Sequence, residues 1–261
     1  MRQAITQYVM VIALIVGAYF VGVYKTKTEF LEKGAGTPTA QVAGEQAQQA
    51  PQTVDIEKIK GLFDGKHITF GEKDAKVIFT QISDTSCPYC HIAGGLNPEL
   101  NAQVGSQFKL KKDGGNYVPP MEEIRKLVDA KKASFVWLYS PGHGSGELGT
   151  IALYCAYEKG KFWEAHDMLM TNKGYSFINE TVQNDLKKSG EMAEFLKTAV
   201  DPKSMKECID SGKYTARNNE DASFVQSLGF GATPTFFVND KVVEGAASWD
   251  TAFKSIVDQL I

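Results

Sequence analysis

The sequence lacks most of what would announce a function through composition. Its 261 residues carry 28 Lys and Arg against 31 Asp and Glu, a formal net charge of −3. Without a cationic excess there is no global field to hold a polyanion, so nucleic acid is not an expected partner. Only four cysteines are present, too few for a small fold stapled by disulfides, although an even number permits two bridges. No segment repeats, which sets repeat architectures aside.

Two stretches are defined by what they omit. Residues 8–24 contain no charge and are mostly Val, Ile, Leu, Ala, Gly or aromatic. That length is at the short end of a membrane-spanning helix and beyond the usual apolar core of a secretory signal. No clean Ala-x-Ala site follows, so residues 1–33 read as an uncleaved signal-anchor, with a cleaved signal peptide as the alternative. Residues 34–52 lack apolar mass instead, being Gly, Ala, Gln, Thr and Pro with one charge. They read as a flexible linker between the membrane and a domain spanning 53–261. Arg2 faces Lys25, Lys27 and Lys33 across the apolar run, a distribution that by itself favours the opposite orientation to export.

What is present is concentrated at Ser86-Cys87-Pro88-Tyr89-Cys90-His91, directly behind residues 76–82, whose β-branched and aromatic content reads as a buried strand. Two cysteines spaced by two residues at a strand-to-helix turn suit reversible disulfide chemistry. The first sits where unpaired N–H groups at a helix start favour a thiolate, Pro88 fits the first turn, and Cys90 follows one turn on. The same letters spell a c-type haem attachment site, half of a zinc site, or two unrelated core cysteines. Zinc would want a second ligand pair, and Cys155 and Cys208 are isolated from each other. Haem attachment usually occurs in small helical proteins.

The rest of the chain supplies a context. Thr53 is expected to cap a short helix carrying Ile56, Ile59, Leu62 and Phe63, and residues 67–70 a first strand. Gly94, Gly95 and Pro98 predict an interruption after the cysteines, and Asp113-Gly114-Gly115 a small hairpin between 108–110 and 117–118. Pro119-Pro120 opens a helix, and 134–139 is a second continuous apolar strand. Leu148, Ile151, Ala152 and Cys155 fall at helical spacing, as do Phe162, Ala165, His166 and Leu169. Further helices are expected over 186–200, 205–209 and 216–228. Asn239-Asp240 reads as a tight turn between strands 235–238 and 241–244, and Ser248 as the cap of a last helix. The order gives an α/β sandwich interrupted by a helical insertion at about 142–228.

Three motifs in this order, Asp84-x-x-Cys87-Pro88-x-Cys90, Gly160-Lys161-Phe162-Trp163-x-x-His166-Asp167 and Gly231-x-Thr233-Pro234-Thr235-Phe236-Phe237-Val238, resemble the DsbA-like thioredoxin family over roughly residues 67–261. The resemblance implies a thioredoxin fold with an inserted helical domain, working outside the cytoplasm on thiols of exported proteins. It implies that Cys87 and Cys90 are catalytic, that Pro88, Tyr89, Thr233 and Pro234 hold the substrate strand, and that the Thr233–Pro234 bond is cis. It implies neither metal nor organic cofactor, and a membrane redox partner that reoxidises the pair. The activity it suggests is dithiol oxidation by a single-pass membrane protein with its domain on the extracytoplasmic side. A reductase or isomerase of the same fold and a non-catalytic peptide-binding module are the alternatives.

Departures from the family pattern are visible too. Residues 94–132 are longer and richer in glycine than the usual link, and are expected either to shape the rim of the redox site or to be a surface elaboration. Gln81 stands where many thioredoxins bury an acid. Cys87 is expected to be the exposed sulfur and Cys90 the buried one. His91 either holds the Cys87 thiolate or is an exposed polar residue, and His143 and His166 read as structural. Assigning Cys87 to Cys90 leaves Cys155 and Cys208 to form a structural disulfide, with two buried free thiols as the alternative.

Overall fold

The computed structural model describes residues 52–261. The expected anchor at 8–24 and all but the last residue of the linker lie outside the described residues. Among the described residues no helix is long and apolar enough to cross a membrane.

Five strands form one mixed sheet in the order β1-β3-β2-β4-β5. They are β1 (Ile68–Phe70), β2 (Ile78–Ser83), β3 (Ser134–Tyr139), β4 (Thr235–Val238) and β5 (Lys241–Glu244). The central pair, β2 and β3, runs parallel with Phe79 opposite Phe135 and Gln81 opposite Trp137. Every residue of both strands is buried. Neither strand alternates between buried and exposed positions because both sheet faces are covered; β3 is nearly all apolar, whereas β2 buries Thr80, Gln81 and Ser83 as well. One face packs Phe79, Phe135, Trp137 and Phe236 against Ile92, Ile124, Leu148, Phe162 and Phe253. The other packs Ile78, Ile82, Val136, Leu138 and Phe237 against Ile59, Leu62 and Val225.

The helices are α1 (Ile56–Lys60), α2 (Pro88–Gly94), α3 (Pro98–Val104) and α4 (Pro120–Asp129), then α5 (Glu147–Glu158), α6 (Phe162–Leu169), α7 (Asn172–Ser176), α8 (Ser189–Phe195), α9 (Pro202–Asp210) and α10 (Thr215–Ser227) between β3 and β4. After β5 a wide turn, Trp249–Phe253, leads into α11 (Lys254–Asp258). The chain therefore makes a thioredoxin-like sheet whose two halves are separated by six helices.

Local chemistry sets several boundaries differently from expectation. Asp55, not Thr53, caps α1, its carboxylate accepting from the Glu57 N–H, while Thr53 bridges to Lys241. Ser248 does not cap the last helix with its side chain; its hydroxyl accepts from the Val118 N–H at 3.0 Å. The 108–118 hairpin does not form. Leu110 and Tyr117 pair as an isolated parallel bridge flanked by two single 3-10 turns. The interruption after the cysteines is found: α2 ends in a left-handed Gly95 at φ 71°. A Cβ there would stand 2.3 Å from the Pro119 ring, so glycine is required twice over.

Candidate active site

The strand-to-helix turn forms because β2 ends at Ser83 and the next three residues supply their own bonds. The Asp84 carbonyl accepts from the Cys87 N–H at 3.0 Å, and the Cys87 carbonyl accepts from the N–H groups of Cys90 (3.1 Å) and His91 (3.2 Å). Cys87 is thus the residue before the first helical turn, in extended conformation at φ −77°, and Pro88 opens the helix without an N–H to satisfy. Neither cysteine is disulfide-bonded. Both are buried: Cys87 has 0 % and Cys90 1 % of its surface exposed. The expected exposed Cys87 sulfur is therefore corrected; the loops around the turn close over it, and its thiol donates to the Thr233 carbonyl at 3.3 Å.

The two sulfurs are driven apart electrostatically. Cys87 is lowered to about 6, chiefly by a hydrogen bond from the Cys90 thiol, with the Thr233 side chain, the Cys90 N–H and the charge of His143 acting the same way against the opposing effect of burial. Cys90 is raised well above an ordinary thiol because it is buried, and the neighbouring Cys87 pushes it further. The Ser83 side chain and the Asp84 N–H act the other way, favouring a Cys90 thiolate. One thiolate and one thiol side by side is the charge state in which the first sulfur leaves readily and the second keeps its proton. Gln81 lies on the same face of β2 as Ser83, buried, with its Oε1 unpartnered.

The Thr233–Pro234 bond is cis. Pro234 is buried, while the Thr233 hydroxyl, also buried, has no hydrogen-bond partner. Pro88 is half-buried and Tyr89 is 42 % exposed. The Tyr89 ring meets Phe108 edge-on at 6.0 Å, and Phe108 meets Tyr117 at 5.6 Å. The Asn101 amide donates to the Ile92 carbonyl of α2 and to the Phe108 carbonyl. Residues 94–132 therefore reach the active-site helix itself.

His91 fits neither sequence expectation. It is fully buried, with Nδ1 3.0 Å from the Met170 carbonyl and Nε2 2.9 Å from the Thr85 carbonyl. Burial pushes its imidazole down to about 4. The neutral ring has one N–H and so donates to one of these carbonyls while its other nitrogen faces the second; both nitrogens are turned to backbone, and the ring ties the redox turn to the helices. His166 is buried, stacks on Phe162 at 5.6 Å and faces Asp167 at 3.2 Å, a structural arrangement. Arg125 reaches the same motif, over the Trp163 ring at 5.0 Å and against Asp167 at 2.6 Å. His143 is exposed on the loop after β3 instead of serving as a core hydrogen-bonding group.

Cys155 and Cys208 are far from this turn in sequence and are bonded to each other, with an S–S distance of 2.04 Å and Cα atoms 6.0 Å apart. Sequence reasoning missed two features nearer the site. Ser83 carries no motif, and Asp84 was quoted without a role although it is wholly buried. A second buried carboxylate, Asp221, accepts from the Tyr154 hydroxyl at 2.7 Å and is raised to about 6 by burial.

Comparison with known proteins agrees with this architecture. A family model described as Thioredoxin matches residues 122–259, downstream of the cysteine pair. Disulfide bond formation protein D of Bacillus subtilis (strain 168) is 25 % identical over 195 residues, 73 % of this chain and 75 % of that one. The crystal structure of BdbD from Bacillus subtilis (oxidised) superposes with a TM-score of 0.54 at 20 % identity, covering 81 % of this chain and 97 % of that one. A Na(+)/H(+) antiporter NhaA 3 of Salinispora tropica is 25 % identical over 174 residues, 66 % of this chain, but the chain spans only 21 % of its length.

Proposed function

The chain belongs to the DsbA-like thioredoxin family and is a thiol-disulfide oxidoreductase, and from that premise we propose that it oxidises paired thiols of exported proteins through Cys87 and Cys90. A substrate thiolate attacks the Cys87 sulfur of the oxidised enzyme. The Cys87–Cys90 bond breaks, its electron pair goes to the Cys90 sulfur, and that sulfur takes up a proton. A second substrate thiolate then attacks the substrate sulfur of the mixed disulfide, and Cys87 departs as thiolate. The substrate has lost two electrons, and the enzyme holds them as one thiolate and one thiol. The observation that carries this reading is the division of charge within the pair: Cys87 lowered to about 6 beside a Cys90 raised by burial. A low thiolate pKa makes Cys87 the better leaving group.

Residues 8–24 act as the membrane anchor in this proposal, with the catalytic domain on the extracytoplasmic side. What supports it is the uncharged apolar run in the sequence and the requirement of a disulfide-forming enzyme for an oxidising compartment. Pro88, Tyr89, Thr233 and Pro234 line the approach of the substrate strand, and a membrane redox partner withdraws the two electrons. No metal or organic cofactor takes part in these steps.

The reduction potential of the Cys87/Cys90 couple tests the reading. A value near about −120 mV is expected for an oxidase, and one near about −270 mV would assign the chain to reduction instead. A wild-type protein inert toward reduced substrates, whose Cys87→Ser variant forms no mixed disulfide through Cys90, would leave only a peptide-binding module.

A further inference from the structure

Asp84 is the most heavily bonded side chain near the redox turn. Its Oδ1 accepts from the Ser86 N–H and the Ser86 hydroxyl, both at 2.7 Å. Its Oδ2 accepts from the Gly142 N–H at 2.7 Å and the His143 N–H at 2.9 Å. Two of these donors belong to the turn that ends at Cys87 and two to the loop after β3, so one carboxylate clasps the two segments together. The loop in turn lies against Thr233: a Cβ on Gly142 would stand 2.1 Å from the Thr233 Oγ1. Thr233 closes the circuit, because its carbonyl accepts from the Cys87 thiol at 3.3 Å and its hydroxyl is buried without a partner. Space is reserved for the clasp as well, since a Cβ on Gly146 would fall 1.7 Å from the Asp84 Oδ1.

We infer that Asp84 is a positioning residue for Cys87, acting through the loop at Gly142 and His143 to hold Thr233 against the sulfur. Once the Cys87 thiol loses its proton it no longer donates to the Thr233 carbonyl, and the unpartnered Thr233 hydroxyl is then the donor beside the thiolate. The charged and titratable groups acting on Cys87 from the surrounding elements are Cys90 on α2 and His143 on the clasped loop, and Cys87 acts in turn on Tyr175 of α7. Releasing the loop withdraws two of the favourable influences, the Thr233 hydroxyl and His143, without touching Cys90.

The inference rests on Cys87 as the sulfur that forms the mixed disulfide with substrate. Its test reads thiolate formation alone, so the result stands whether the enzyme proves to be an oxidase or a reductase. In Asp84→Asn the amide keeps the size of the side chain but turns N–H donors toward N–H donors. The ultraviolet titration of Cys87 in the dithiol protein is expected to move up by about one pH unit, with alkylation by iodoacetamide below the midpoint slowed about tenfold. Gly142→Ala, which keeps the carboxylate and wedges the loop from Thr233, is expected to shift the midpoint in the same direction, and the double variant to add little. A lower midpoint in Asp84→Asn would mean that the carboxylate acts by its own charge, and additive shifts would mean independent effects. Either result overturns the inference, as does a loss of thermal stability with the Cys87 titration unchanged. Should Asp84→Asn not fold, an unchanged midpoint in Gly142→Ala decides against it.

Discussion

The molecule contains two cysteine pairs, and they are built in opposite ways. Cys87 and Cys90 have two residues between them in sequence and are surrounded by groups that separate their proton affinities: the Thr233 loop, the Ser83 hydroxyl, the Asp84 N–H and the charge of His143. Cys155 and Cys208 are separated by 53 positions and join α5 to α9. Their neighbours are the apolar residues of the helical core, and the exposed ion pair of Glu158 with Lys213 lies at its edge. The first pair has an environment that discriminates between thiol and thiolate, and the second has one that discriminates between folded and unfolded chain. A cysteine pair becomes reactive through what surrounds it, whereas it becomes structural through how much chain it closes.

That contrast can be broken or sharpened by experiment. The largest effect expected is on stability. Changing both Cys155 and Cys208 to Ser should cost about 4 kcal/mol, the chain-entropy value for a loop of this length, measured by urea unfolding. The Cys87 titration should not move. A shifted titration would mean that the helical block participates in tuning the redox turn and that the two pairs are not independent.

The next effect separates the two redox forms of the wild type. Between pH about 6 and 8.5 the unfolded chain holds a proton on Cys87 that the folded dithiol has released, so the dithiol form gains stability as pH rises. The gain is fully present above the unfolded value and lost as pH falls through about 6. Across that window it amounts to about 3 kcal/mol, at roughly 1.4 kcal/mol per pH unit. The oxidised form has no such thiolate and should show no matching rise. Cys90 contributes with opposite sign only above its unfolded value, since its folded pKa is raised. Unfolding both forms at several pH values checks this, and parallel curves would contradict the lowered Cys87.

The smallest effect concerns the rim. Phe108→Ala removes the ring that supports Tyr89, which should weaken capture of a peptide substrate by about 1 kcal/mol, or about fivefold in KM, with kcat and reduction potential little changed. Unchanged KM on every substrate would make residues 94–132 a surface elaboration.

The sequence by itself determined the two central buried strands and the interruption at Gly95, and it singled out Cys87 and Cys90 as the candidate redox pair, because each depends on short-range chemistry: burial on two faces, a left-handed glycine, and two sulfurs one helical turn apart. It also supplied the Cys155–Cys208 pairing by elimination. Capping was less legible. Asp55 and Thr53 are both suitable caps by type, and only the packing of Thr53 against Lys241 assigned the role to Asp55. The hairpin at 108–118 was misread because Asp113-Gly114-Gly115 is a turn whose flanks are too short to pair on both sides. What the tertiary structure alone decided is the burial of Cys87, the place of His91 between two carbonyls, and the Asp84 clasp. These join residues far apart in the chain: His91 with Met170, Asp84 with Gly142, Gly142 with Thr233. No local propensity encodes such contacts, because a buried carboxylate or imidazole takes its meaning from which backbone groups the completed fold brings to it.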